Sequence, residues 1–183
     1  MDPEANTHFE MAVGLHRAGR DVEAETELRW ALDVDPDFGL AWALLGSVLD
    51  DSGKSDAAQS ALREAIRCEP GCARNYSLLA DLLIDAGNYG EAEALARQSI
   101  ELDPLAHRWC ILGVALSKQG KYEAAASAHE AALDANPGFD EAMVNLASLL
   151  VDSDPVRAKV LLEAALKIDP DWDEARDLLS NLR

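Results

Sequence analysis

Two cysteines four positions apart, Cys68 and Cys72, are the first place in this sequence where chemistry could be sought. A Cys-x3-Cys run is not the two-residue spacing usual for a zinc or redox pair, and no His or Cys cluster nearby completes four ligands. Cys68 ends one apolar periodic segment and Cys72 precedes the next, so both read as small buried apolar residues. His8 and His129 fall on apolar ridges, where a packed histidine with one local hydrogen bond is expected. His16 and His107 fall on another face, where they either meet a ligand or are simply solvated. The acid pairs Asp50-Asp51 and Asp81 with Asp85 have the form of a general acid–base dyad. On a highly acidic helical surface they read as solvated charge. No glycine-rich phosphate loop, HExxH zinc pair or nucleophile elbow is present. The sequence therefore predicts no catalytic residue, no metal site, no cofactor and no enzymatic activity.

Charge narrows the partners. The chain has 183 residues, of which 34 are acidic and 16 basic, for a formal net charge of −18. A protein that grips phosphates needs a basic face, so nucleic acid is not expected as a partner. The same field disfavours adsorption to an anionic membrane. No stretch approaches the length of a membrane span, and no basic segment followed by an apolar run opens the sequence. With no secretory signal and three cysteines, reduced thiols and a cytoplasmic location are expected.

The elements that would position any site are short helices. In the stretch from Gly39 to Pro70, Trp42, Leu45, Gly46 and Leu49 share one helical face. Gly53 breaks the pattern, Ala58, Ala61, Leu62, Ala65 and Ile66 resume it, and Pro70 closes the unit. Prolines close equivalent segments at 36, 70, 104, 137 and 170, which sets a period of 33 or 34 residues. The ridge returns as His8, Met11, Ala12 and Leu15; as Tyr76, Leu79, Ala80 and Leu83; as Trp109, Leu112, Gly113 and Leu116; and as Met143, Leu146, Ala147 and Leu150. Its third member is always Gly or Ala, which lets two helix axes approach closely. Glycine ends the first helix at Gly19, Gly53, Gly87 and Gly120. The fifth copy lacks it, and Asp154-Pro155 is expected to start the next helix by a different turn. The copies occupy residues 5–36, 39–70, 73–104, 106–137 and 140–170, within one domain covering 1–183. A single further helix, 173–182, is expected to cap the last ridge, whereas no cap precedes the first.

The unit length, the W-x2-L-G-x2-L pattern at Trp42–Leu49 and Trp109–Leu116, the recurrent alanines and the closing proline resemble the tetratricopeptide repeat (TPR). The match recurs five times and spans almost the whole chain. The resemblance implies an all-α fold of about eleven helices, in which antiparallel pairs stack into a right-handed superhelix and first helices line a concave groove. Family members that hold a chaperone tail use Lys, Asn and Arg on that face to bind a terminal carboxylate. Here Phe9, Val13, Leu44 and Leu78 stand there, and Arg74 alone matches. The asparagine ladder of sugar-transferase members is reduced to Asn145.

Beside the ridge, the first helices present a second set. It includes Phe9 and Val13; Leu40, Leu44, Ser47 and Asp51; Arg74, Ser77, Leu78, Asp81 and Asp85; His107, Cys110, Ile111 and Val114; and Asn145. Part of it can be core against the second helices. Alternatively it forms a groove with an apolar floor and an acidic lip, suited to a partner peptide or helix carrying apolar and basic residues. The expected function is a protein-interaction module, either an adaptor or an assembly scaffold. The alternatives are a homo-oligomeric scaffold that self-associates through its uncapped amino-terminal repeat, and a regulatory domain of a larger enzyme.

Overall fold

The computed structural model describes residues 2–182. Among them lie eleven helices and no strand. In chain order these are α1 (Pro3–Arg17), α2 (Asp21–Val34), α3 (Gly39–Asp51), α4 (Ser55–Cys68), α5 (Ala73–Asp85) and α6 (Tyr89–Leu102). They continue with α7 (Ala106–Lys118), α8 (Tyr122–Ala135), α9 (Asp140–Leu150), α10 (Pro155–Ile168) and α11 (Asp173–Asn181). Among the described residues no helix is long and apolar enough to cross a membrane.

Two kinds of turn create these elements. Gly53 and Gly120 adopt φ of 71° and 75°, a region that excludes most side chains. Their turns are closed by Lys54 N donating to Leu49 O at 2.8 Å and Lys121 N donating to Leu116 O at 3.0 Å. Positive φ recurs at Gly19 and Gly87. The α9–α10 connection differs, as its sequence predicts: Asp154 Oδ1 accepts from Arg157 N at 3.0 Å, with Pro155 in the first turn. The second kind of turn follows from proline. Asp35, Glu69, Asp103, Asn136 and Asp169 all lie outside the helical region. A following proline blocks the helical region for Asp35, Glu69, Asp103, Asn136 and Asp169, so each even-numbered helix stops there. Trp42 Nε1 then donates back to Pro36 O at 2.8 Å, and Tyr76 Oη to Pro70 O at 3.0 Å, fixing the entry of α3 and α5.

The helices fall into two compact units, Met1–Gly87 and Asn88–Arg183. In the first, α1 pairs with α2 and α3 with α4, while α2 packs on α3 and α4 on α5. In the second, α6 packs on α7, α7 pairs with α8, α8 meets α9, α9 pairs with α10, and α11 lies on α10. Small residues set the packing distance. Ala24, Ala58, Ala92, Ala125 and Ala158 are fully buried, as are Ala31, Ala65, Ser99, Ala132 and Ala165. A Cβ on Gly46 would lie 2.7 Å from Leu62 Cγ, so α3 and α4 are in contact at that point. One charged link repeats in both units: Lys54 Nζ meets Glu25 Oε2, and Lys121 Nζ meets Glu93 Oε2, each at 2.7 Å.

The first ridge stands apart. Met11 is 49% exposed, whereas Leu45, Leu79, Leu112 and Leu146 at the same register are at most 2% exposed. Nothing among the described residues covers the place that a preceding helix pair would occupy.

Candidate functional site

In the first unit α1, α3 and α5 lie side by side, and the faces next to their ridges enclose two adjoining recesses. The first, of about 200 Å³, is mainly apolar. Its walls are Phe9 and Val13 from α1, Leu40, Ala43, Leu44 and Ser47 from α3, and Arg74, Asn75 and Leu78 from α5, with Cys72 at the α5 entry. Leu40 is 46% exposed and Phe9, Val13, Leu44 and Leu78 are half-buried, so this apolar surface is not spent on the core. Phe9 is held in place by Phe38, with ring centroids 4.9 Å apart.

The second recess, of about 190 Å³, is acidic. Asp50 and Asp51 from the end of α3 and Asp81 and Asp85 from α5 converge on it, above Gly46, Leu62 and Leu82. Ser47 and Leu78 line both recesses and join them. Among the described residues Asp50, Asp81 and Asp85 make no ion pair. Asp81 keeps solvent on one side, yet the recess wall strips water from it, and with Asp85 and Asp50 beside it the carboxyl is pushed above its usual range. Asp50 is shifted the same way, first by desolvation and then by Asp51 and Asp85. All four aspartates remain solvent-exposed at the surface of the recess. They form a concentrated negative field against an apolar wall.

A cluster of three residues with metal-ligand chemistry, His16, Asp21 and Asp51, lies beside this recess. His16 Nδ1 engages Asp21 Oδ1 at 2.8 Å, and His16 Nε2 lies 3.9 Å from Asp51 Oδ2. One ligand atom from each of the three falls within 4.8 Å of the others. A carboxylate fixing the far nitrogen of an imidazole is how metal-ligating histidines are oriented. These residues come from three helices and form no sequence motif, so the sequence reading, which expects no metal site, passes them over.

The expected groove residues divide sharply. Phe9, Val13, Leu40, Leu44, Ser47, Asp51, Arg74, Leu78, Asp81 and Asp85 gather at the two recesses. Ser77 does not: it is buried, and its Oγ donates to Arg74 O at 3.0 Å. Cys110 is likewise buried, in an apolar cluster with Ala132 and Ala142. Both sit close enough to the ridge to be drawn into the packing rather than the groove. In the second unit Ile111 and Val114 are half-buried, and Asn145 Nδ2 lies 3.5 Å from Cys110 Sγ. His107 is exposed beside a shallow recess with Pro104, Leu105 and Phe139. Desolvation, then Arg108, holds its pKa below the usual histidine value.

His129 differs from its expectation. It is buried, but its Nδ1 finds no hydrogen-bond partner. Cys68 and Cys72 are half-buried rather than sealed in the core, and burial pushes the Cys68 thiol up, away from reactivity. Sequence reasoning misses Asn75, which is 2% exposed and whose Nδ2 has no partner. A signal was available: at the same step of their helices α3 and α9 carry Ala41 and Ala142.

Two sequence models described as tetratricopeptide repeat match residues 44–107 and 116–182, which together make up more than half of the chain. No curated protein sequence matches significantly. Among solved structures the chain is similar to MamA 41-end from Desulfovibrio magneticus RS-1, with a TM-score of 0.81, 18% identity and coverage of 94% of this chain and 99% of that one. It is similar to pilF of Pseudomonas aeruginosa, with a TM-score of 0.80, 19% identity and coverage of 98% and 88%. It is also similar to YrrB, described as a TPR protein with an unusual peptide-binding site, with a TM-score of 0.76, 20% identity and coverage of 93% and 89%. At these identities the likeness is one of fold. With the repeated ridges, the glycine turns and the two matching models, the chain belongs to the tetratricopeptide repeat family.

Proposed function

We propose that this chain holds a segment of a partner protein along α1, α3 and α5, as an adaptor or assembly scaffold. Membership of the tetratricopeptide repeat family makes it a protein–protein interaction module, a class that is generally non-catalytic. The observation that carries the finer reading is the apolar recess of Phe9, Val13, Leu40, Leu44 and Leu78, left open beside ridges whose leucines on α3 and α5 are packed. Apolar surface of that kind is the usual floor of a docking groove. The neighbouring aspartates suit a partner with Lys or Arg as well as apolar side chains. YrrB, of similar fold, is described as having a peptide-binding site, which is in keeping with this use. A cytoplasmic setting belongs to the same proposal, since cysteines without a disulfide are the usual state in a reducing compartment.

The test is a partner titration. Proteins retained by the immobilised chain are identified by mass spectrometry, and the partner is then titrated against parent and Leu44→Asp/Leu78→Asp protein by calorimetry. Loss of binding with an unchanged helical circular dichroism spectrum is expected. Equal affinity would place the interface elsewhere.

Met11 favours a second reading. Its exposure at a register buried in the other copies leaves an apolar face on which a second copy could stack. Light scattering across a concentration range decides this. Concentration-dependent mass that Met11→Asp abolishes supports self-association, and a constant monomer mass removes it.

A further inference from the structure

His16, in the last turn of α1, holds its ring between carboxylates from two other helices. Nδ1 pairs with Asp21 Oδ1 at 2.8 Å, at the start of α2, and Nε2 lies 3.9 Å from Asp51 Oδ2, at the end of α3. The first contact is a hydrogen bond, which places the ring proton on Nδ1. The second is too long to be one, so among the described residues the Nε2 lone pair is unused and lies beside a carboxylate. All three groups reach solvent: the side chains of His16 and Asp21 are 28% exposed and that of Asp51 is 55% exposed.

The fold does not ask for this grouping. At the same steps of two later copies, His16 and Asp21 are replaced by Asp50 and Ser55 and by Ser117 and Tyr122. Those turns close through the same backbone bond, from Lys54 N to Leu49 O and from Lys121 N to Leu116 O, as Arg20 N to Leu15 O closes this one. The charges also run against the helix ends. A last helical turn presents unpaired carbonyls, which favour cations over carboxylates. Yet α3 ends in Asp50-Asp51 with no basic residue in its last turn, and among the described residues Asp51 pairs with no lysine or arginine. Glu25 and Glu93, by contrast, are each met by a lysine. The end of α3 thus joins negative charge to a free imidazole nitrogen, which is a donor pair for a metal ion.

We infer that His16 Nε2 and Asp51 bind a divalent transition ion of the zinc type, with Asp21 as the positioning carboxylate. An imidazole beside a carboxylate suits zinc, whereas magnesium and calcium prefer oxygen ligands alone. Two ligands each about 2.1 Å from zinc lie roughly 3.4 Å apart at the tetrahedral angle. The 3.9 Å between Nε2 and Oδ2 closes to that by a small rotation of the exposed Asp51 side chain. Solvent completes the coordination. Asp21 fixes the tautomer and the ring orientation, as a carboxylate on the far nitrogen does for metal-ligating histidines. The ion ties the end of α1 to the end of α3, across the first two copies. It does so whatever the groove holds.

The probe is zinc chloride, titrated into the 15N-labelled full chain while the histidine ring nitrogens are followed by NMR. Before zinc is added, His16 should carry its proton on Nδ1, and Asp21→Ala should move it toward Nε2. Zinc should then shift the His16 Nε2 signal and leave the rings of His8, His107 and His129 in place. Calorimetry should find one site, which magnesium chloride at the same concentration does not fill. His16→Gln should abolish binding, and Asp51→Asn and Asp21→Ala should each weaken it about tenfold or more. Asp85→Asn, in the neighbouring recess, should leave it unchanged. Zinc should also raise the melting temperature of the parent but not of His16→Gln. Zinc-induced shifts confined to Cys68 and Cys72 or to His8, with the His16 ring unmoved, would overturn the inference. So would a zinc affinity that survives both His16→Gln and Asp51→Asn. Parent affinity in Asp21→Ala would overturn the positioning role of Asp21. The ring signals of the parent decide the site even where a variant fails to fold.

Discussion

Gly113 on α7 lies against the imidazole of His129 on α8, so closely that a Cβ at Gly113 would come within 2.5 Å of His129 Cε1. The glycine is what allows a histidine to occupy the α7–α8 seam. There the ring is 1% exposed and its Nδ1 is unpaired, and burial lowers its pKa from 6.5 to about 4. An unfolded chain takes up this proton below pH 6.5, whereas the folded chain refuses it until about pH 4. Stability should therefore fall as pH drops through that window, by on the order of 3 kcal/mol. His129→Leu fills the same seam without titrating. The melting temperature of parent minus variant, followed from pH 7 to pH 4, should decline steadily. A flat difference would mean that His129 is not held neutral.

Gly46 and Gly14 should respond in opposite directions to the same change. A Cβ on Gly46 meets Leu62 Cγ at 2.7 Å, inside the α3–α4 seam. Gly46→Ala must displace a buried leucine and should destabilise by about 1–3 kcal/mol, and Gly46→Leu by more. Gly14 lies within α1 with nothing inside 4 Å. Gly14→Ala should stabilise by about 0.5–1 kcal/mol through reduced chain entropy. Urea melts of both variants check this, and a destabilised Gly14→Ala would show that the open side of α1 is occupied.

These glycines show what the sequence makes legible. The ridge of Trp42, Leu45, Gly46 and Leu49 recurs with one period, and repetition removes the ambiguity of a single amphipathic segment. The turns at Gly53 and Gly120 are readable because glycine tolerates that backbone far better than other residues. The site is less so. Ser77 and Cys110 lie at the border between groove and ridge, where one helical step of about 100° decides burial. The acidic recess depends on α3 and α5 bringing Asp50 and Asp81 together, a contact between helices that periodicity within either one does not contain. The group of His16, Asp21 and Asp51 is hidden for the same reason.

Glu93 should make the second unit acid-sensitive over a lower range than His129 does. Lys121 Nζ at 2.7 Å, then Arg97 and Gln119, hold its carboxyl down at about 2 against some desolvation. A depressed carboxylate pKa contributes stability that is present above about pH 4.5 and lost as pH falls toward 2. Both cations are about half exposed, at 50% and 53%, so screening reduces the effect to about 1 kcal/mol. Lys121→Met should lower stability by that amount at pH 7 and by almost nothing at pH 2.5. A pH-independent difference in chemical denaturation would assign the effect to packing of the lysine stem instead.

Asp81 should show the reverse linkage, and with it a test of the proposed groove. Desolvation, then Asp85 and Asp50, raises its pKa, so the folded chain keeps the proton longer than the unfolded one. A raised carboxyl pKa means stability that is present at low pH and lost as pH rises through the folded value. At pH 7 the charged form is therefore a burden on the fold, and Asp81→Asn should melt higher than the parent. The same substitution removes charge from the recess, so affinity for a basic partner should drop, as should its dependence on salt. A residue that only solvates the surface would move neither quantity. Asp81→Asn that melts higher but binds the partner equally well would leave the strain real and its use in recognition wrong.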